Sequence, residues 1–298
     1  MKSVKLYYNP TAGEGENSKA ELIQHIRNAG YTFIHTSGKK GGMGKDGKEA
    51  DILAVAGGDG TVRKACLDLL RMPLMHSRPI GLLALGTANN IAMTLKIGKD
   101  VREVIRSWDR HKLKRFDVGR IDGLPSTAFF VEAFGFGLFP RLMQQMERLP
   151  EQGPQDTEQE LQQALKLLVP IAQNYEAVSC TISLDDKTFS GRYILAEVMN
   201  IRSLGPRLVL APDADPGDGR FDVLLISGRQ RNKLVAYIEK IGKGIKARFP
   251  FRPVKAKHIV IRWEGKDMHV DDKLIRKYKA GRLQVKLLDG MLDFLTAE

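Results

Sequence analysis

Residues 54–65 read AVAGGDGTVRKA: an apolar run, the turn Gly57-Gly58-Asp59-Gly60-Thr61, and a stretch able to start a helix. The apolar, β-branched residues 52–56 lack polar alternation, which spells a strand buried on both faces. Over 61–70, Val62, Ala65, Cys66 and Leu69 fall on one helical face. Glycines between such a strand and helix let the backbone approach a ligand, and the helix N-terminal amides point at an anion. A tight strand-to-helix connection asks for the same residues. By itself the motif is a phosphate cradle or a plain turn, and Asp59 a ligand-side carboxylate or a helix cap.

Two further loops share the setting. Leu85-Gly86-Thr87-Ala88-Asn89-Asn90 follows a buried strand at 80–85 and opens a helix at 88–95. Asn9-Pro10-Thr11-Ala12-Gly13 ends a strand at 4–8. Between it and the central motif come a helix over 19–28 with Leu22, Ile23 and Ile26 at helical spacing, a stop at Gly30, a strand at 31–35 and a Gly/Lys-rich loop at 37–48. Unalternating strands separated by helices predict a parallel sheet covered on both faces. Ligands of such sheets sit beyond the carboxyl ends of the strands, so all three loops fall on one edge.

The character changes near Phe116-Asp117-Val118-Gly119. Short strand-like runs follow at 128–133, 177–184, 191–200, 221–227, 259–263 and 283–287, which predicts a sandwich. One helical insert, 141–175, carries Leu161, Leu165 and Leu168 as a stripe, with a Pro/Gln/Glu-rich connection at 149–157.

The 298 residues suit one large domain or two ordinary ones, and 43% hydrophobic with 28% charged residues suits a soluble protein with a full core. No apolar stretch is long enough to span a bilayer and MKSVKLYYNP has no signal core, so the expected location is cytoplasmic, with peripheral membrane contact. Cys66 and Cys180 lack metal-ligand spacing, and reduced thiols are expected. A net charge of +12, densest over 229–279, fits an anionic membrane surface or phosphorylated ligands. Basic stretches without interleaved aromatics argue against a nucleic-acid platform. Nothing here addresses an oligomer.

Taken together, NPTAG, GGDGT, LGTANN, FDVG and the later APDADPGDGRFDV resemble the diacylglycerol kinase catalytic family of bacterial lipid kinases, whose relatives include sphingosine kinases. GGDGT also occurs in NAD kinases and phosphofructokinases; NPTAG before it and GDGRFDV after it favour the lipid kinases. The resemblance runs from Asn9 to about Asp272. It implies an N-terminal Rossmann-like α/β nucleotide-binding domain, 1–117, and a C-terminal β-sandwich lipid-substrate domain, 118–288, with the tail 289–298 packing back on the first and the site in the cleft. It implies ATP and Mg²⁺ as cofactors and γ-phosphoryl transfer to the hydroxyl of diacylglycerol or a related lipid. Asn9, Thr11, Gly13, Thr36, Gly57, Gly58, Asp59, Gly60, Thr61, Thr87 and Asn89 would hold the nucleotide, Asp59 also serving the catalytic Mg²⁺. Asp215, Asp218 and the Arg220 carbonyl would form a structural Mg²⁺ or Ca²⁺ loop, for which Asp-Pro-Gly-Asp-Gly as a plain turn is the other reading. Asp117 would join a carboxylate network.

Three departures stand out. The family's late Asp-Gly-Glu, associated with the base that accepts the hydroxyl proton, is here Asp271-Asp272-Lys273. A lysine ammonium has no lone pair, so Asp271 or Asp272 becomes the expected catalytic base. Asn-Glu after GGDGT-x is Arg63-Lys64, and Asn-Asp in the second glycine loop is Asn89-Asn90. Three functions follow: a lipid kinase with compensating residues, a catalytically impaired member that binds nucleotide or lipid, or a kinase for a soluble acceptor such as NAD.

Overall fold

The computed structural model describes residues 1–10, 18–34, 50–71, 78–126, 128–149, 157–276 and 281–297. The chain divides into two units, one of residues 1–116 with 290–298 and one of residues 117–289.

The first unit is a parallel sheet with helices between its strands. Strands β1 (Ser3–Tyr8), β2 (Thr32–Ile34), β3 (Ile52–Gly57) and β4 (Ile80–Ala84) lie in the order β4-β3-β1-β2. Registers such as Leu6 beside Ala54 and Val55 beside Leu82 set the three longest strands side by side. Helix α1 (Lys19–Asn28) starts at a capping box in which Ser18 and Glu21 satisfy each other's backbone amides. Helix α2 (Asp59–Leu70) follows β3 after Gly58, and α3 (Asn90–Thr94) and α4 (Val101–Ser107) follow β4. Every residue of β3 is buried, as its unalternating sequence requires. Val4, Leu6, Leu22, Ile26, Ala54, Leu83, Ile105 and Trp108 build the core, and the Trp108 ring leaves no room for a side chain at Gly81. The tail belongs to this unit: Leu295 enters the core, Phe294 pairs with Ile80, and the Phe294 and Phe116 rings lie 4.9 Å apart.

The chain leaves this unit within β5 (Lys112–Asp122) and returns within β17 (Arg282–Thr296). Between them lie β6 (Ala128–Phe130), β7 (Ala133–Gly137), α5 (Leu138–Met146), α6 (Thr157–Asn174), β8 (Val178–Leu184), β9 (Lys187–Met199), β10 (Ser203–Leu204), β11 (Leu208–Val209), β12 (Phe221–Ser227), α7 (Arg231–Gly242), β13 (Val254–Ala256), β14 (His258–Trp263), β15 (Met268–Val270) and β16 (Lys273–Leu274). Strand β9 organises the unit. Its first half pairs with β8 from Lys187 to Tyr193, and its second half, from Leu195 to Met199, is flanked by β7 and β12. The second half is buried on both faces. Ala196 and Val198 join Phe134, Phe136, Phe221, Ile261 and Trp263 in one core, while Leu195 and Met199 join Leu142, Leu168, Leu234 and Ile238 of the helices in another.

The expected two-part fold, α/β followed by β-sandwich, is the one observed. The helical content of the second unit exceeds the expectation. The insert is two helices, α5 and α6, and α7 is a third that the strand census passes over. Leu234, Val235, Ile238 and Ile241 carry its helical spacing, masked by the surrounding charge.

Candidate functional site

In the first unit the glycine loops meet backbone to backbone. A Cβ on Gly86 would stand 2.3 Å from the Gly58 Cα, and one on Gly57 would stand 2.5 Å from the Thr61 Oγ1. Side chains are thus excluded where the two loops touch, a physical reason for glycine at both positions. The Leu85 amide donates to the Gly57 carbonyl at 3.1 Å. Asp59 completes the joint: its carboxylate oxygens accept the Asn90 amide at 2.8 Å and the Ile91 amide at 3.0 Å. Asn9, from the first loop, donates its side-chain amide to Thr61 Oγ1 at 3.2 Å and its backbone amide to the Ala56 carbonyl at 3.2 Å. Asn89 takes a left-handed φ of 53° and its Oδ1 accepts the Gly86 amide at 3.0 Å.

The N-cap of α2 is Gly58, with no side chain to cover the helix end. Gly60 lies in its first turn, Thr61 is buried there, and Thr87 sits in the second loop. Asn9, Gly57, Gly58, Asp59, Gly60, Thr61, Thr87 and Asn89 therefore share one edge of one sheet. Thr11, Gly13 and Thr36 lie outside the described residues. Asp59 does what a cap does, but for the next loop rather than its own helix. Of the two cations after the motif, Arg63 is buried and Lys64 exposed, while Asn90 is buried with its amide on Asp59.

The second unit holds a buried polar network. Asp271, 4% exposed with φ 50°, accepts three consecutive amides: Val131 at 3.1 Å, Glu132 at 2.8 Å and Ala133 at 3.1 Å. Its own amide donates to the Ala133 carbonyl at 2.8 Å. The three donors converge on Oδ1, with the Val131 amide shared by Oδ2, and fix the side chain against the 131–133 backbone. Asn200 donates to the Val131 carbonyl at 2.9 Å and the Asp117 carbonyl at 2.8 Å, and Asp117 Oδ2 accepts the Gly219 amide at 2.9 Å. Asp272 and Lys273 are exposed at the turn between β15 and β16.

Beside Asp271 lies an ion pair that sequence reasoning misses. His269 Nε2 is 3.0 Å from Glu197 Oε2, and its Nδ1 is 2.8 Å from the Asp271 carbonyl, with both side chains sealed from solvent. A carbonyl only accepts, so Nδ1 carries a proton and Nε2 shares another with Glu197. Burial lowers the imidazole pKa, but the Glu197 charge and hydrogen bond, with the Asp271 carbonyl, outweigh it and raise His269; burial raises Glu197 despite His269. Gly135 makes room, since a Cβ there would lie 2.0 Å from Glu197 Oε2. The available signal is Glu197 alone in the apolar run YILAEVM.

The loop carrying Asp215, Asp218 and Arg220 is closed by its own groups. Asp215 Oδ1 accepts the Gly217 amide at 3.0 Å and Asp218 Oδ1 the Arg220 amide at 2.9 Å, two Asx turns. The Lys255 ammonium stands 2.8 Å from Asp218 Oδ2 and 3.0 Å from Asp222 Oδ2. Burial pushes the Asp222 carboxyl up against the pull of Lys255. As it stands, Asp218 does not fit a divalent ion, because the Lys255 ammonium already bridges it to Asp222; Asp215 is not part of that bridge. Among the described residues no cluster of three or more His, Cys, Asp or Glu side chains is arranged to hold a metal.

Known proteins resemble the chain over both units. Residues 3–121 match the diacylglycerol kinase catalytic domain, and residues 154–274 match the YegS C-terminal NAD kinase beta sandwich-like domain. A diacylglycerol kinase of Bacillus subtilis is 27% identical over 239 residues, covering 76% of this chain and 74% of its own. A diacylglycerol kinase crystal structure from Bacillus anthracis superposes with a TM-score of 0.71 at 21% identity, covering 99% of this chain and 97% of that one. A yeast NADH kinase complexed with NADH shares the fold more distantly, with a TM-score of 0.51 at 11% identity over 100% of this chain and 84% of that one. The chain thus carries, in this order, a diacylglycerol kinase catalytic domain and a YegS-type C-terminal beta sandwich-like domain.

Proposed function

We propose that the chain is an ATP- and Mg²⁺-dependent lipid kinase that transfers the γ-phosphoryl group to the hydroxyl of diacylglycerol or a related lipid at an anionic membrane surface. The observation that supports this most is the joint of two glycine loops, tied by Asp59 and abutting an N-terminal helix end with no side-chain cap. Backbone amides and a helix dipole at that edge suit a polyphosphate. Asn9, Thr61, Thr87 and Asn89 orient it, and the resemblance adds Thr11, Gly13 and Thr36, which lie outside the described residues. Asp59 fits Mg²⁺ as the single carboxylate of a set completed by phosphate oxygens and water. The ion would neutralise charge on the phosphates.

The hydroxyl proton needs an acceptor. Of the two candidates, Asp271 is braced by three amides and serves as a positioning residue, and exposed Asp272 is the proposed base. The second reading, a catalytically impaired binder, draws on Lys273 standing exposed where the family has glutamate. Incubation with labelled ATP, Mg²⁺ and a mixed lipid extract separates the two. Labelled lipid that disappears in Asp272→Asn supports the kinase reading; nucleotide binding by calorimetry with no labelled lipid supports the binder.

A further inference from the structure

Helix α7 ends in a complete Schellman turn. Gly244 adopts φ 71°, its amide donates to the Ile241 carbonyl at 2.9 Å, and the Ile245 amide donates to the Lys240 carbonyl at 2.9 Å. In this motif the residue after the glycine ordinarily packs on the residue five positions back. Here that residue is Lys240, and Ile245 remains 51% exposed. Two hydrogen bonds thus fix an aliphatic side chain outward at a helix end. Lys240, Lys243, Lys246 and Arg248, all exposed, flank it in sequence, and none of the four forms an ion pair with a described residue. From 229 to 257 the one acidic residue is Glu239.

We propose that this end of α7 is a docking surface for an anionic lipid bilayer. Ile245 enters the headgroup boundary while the four cations face the anionic headgroups. An aliphatic tip amid cations separates a bilayer from nucleic acid, which asks for exposed rings or a groove. Phe249 is buried, and Phe251 is packed at the helical core with the Lys233 ammonium 5.5 Å over its ring. The surface rests on charge and exposure, not on phosphoryl transfer; it deepens the lipid-kinase reading by naming the face presented to the substrate's membrane.

The test is sedimentation with vesicles of phosphatidylcholine alone or mixed with phosphatidylglycerol, neither containing diacylglycerol or ATP. The whole chain should sediment with the mixed vesicles and not with the neutral ones. Replacing Lys246 and Arg248 by glutamine should lower partitioning about 30-fold, at roughly fivefold for each cation removed near such a surface. Ile245→Ser should weaken it several-fold and Ile245→Trp strengthen it, both without changing the urea midpoint. Equal binding to neutral vesicles, or unchanged partitioning of the charge variant, overturns the assignment. So does retention on double-stranded DNA without sedimentation on anionic vesicles. Because no phosphorylation is read, loss of the kinase reading leaves this result standing.

Discussion

Replacing Asp271 separates a positioning role from a chemical one. Its carboxylate accepts the amides of Val131, Glu132 and Ala133, and it is buried with φ 50°. Asp271→Ala strips an acceptor from three consecutive amides. A buried donor left without a partner costs about 1–3 kcal/mol. With some water admitted to the gap, the loss is roughly 3–6 kcal/mol. A left-handed φ adds about 1 kcal/mol for alanine and little for asparagine. Asp271→Asn keeps one acceptor oxygen and tolerates the backbone, so about 1–3 kcal/mol is expected there. Asp271→Gly should recover about 1 kcal/mol relative to alanine. The assay is urea denaturation without nucleotide or lipid. A purely catalytic Asp271 would leave the urea midpoint near that of the parent while activity vanished. Stability of Asp271→Ala within about 0.5 kcal/mol of the parent refutes the positioning role.

Further outcomes follow from the same geometry. Gly86→Ala forces a Cβ to within 2.3 Å of the Gly58 Cα; the loops must part, and ATP affinity by calorimetry should fall about 10- to 100-fold (about 1.4–2.8 kcal/mol) with a smaller change in melting temperature. An unchanged Kd removes those loops from the nucleotide site. In the 215–222 loop, melting should be insensitive to EDTA, and Lys255→Met should cost about 1 kcal/mol, discounted because the lysine is a third exposed to solvent. The variant should then regain stability with added Mg²⁺ or Ca²⁺, and a parent protein that melts earlier in EDTA contradicts the internal-cation account. For His269 and Glu197 the folded pKa values are both raised, so their stabilisation is complete at low pH and is lost as pH rises. The unfolded chain releases the Glu197 proton above about pH 4.5 and the His269 proton above about pH 6.5, and the folded pair holds both longer. Stability should therefore decline from about pH 4.5 and keep declining above about 6.5, by up to about 1.4 kcal/mol per pH unit for each retained proton. A flat profile from pH 6.5 to 9 would falsify the shared proton.

Much of the first unit was legible because its signals are local. Unalternating strands, a helical stripe and Gly-rich turns place β3, α2 and β4, and parallel-sheet geometry gathers their loops. The Asp59 bridge was not legible, because its partners lie about thirty positions away in a loop whose amides have no sequence signature. In the second unit the strands could be read from β-branched runs, whereas α7 was hidden within the basic stretch that surrounds it. Lys255 could not be connected with Asp218 and Asp222 before the antiparallel register of β12 and β13 set Lys255 opposite Asp222. His269 was visible as part of a motif, but its meaning depends on Glu197, brought near by β7 lying between β9 and β15.

The return of β17 bears on biogenesis. Phe294 and Leu295 leave the ribosome only after all of 117–289, yet Leu295 lines a core founded by Val4 and Leu6 and Phe294 packs on Phe116. During synthesis the first unit must wait, its Phe116 face bare, until the second unit has been made. Such long-range closure is slow and leaves apolar surface open to misassociation. A nascent chain arrested before 290 should therefore be a better chaperone client than one arrested a few tens of residues beyond 298, and the unit that is first to emerge should be the last to become protease-resistant.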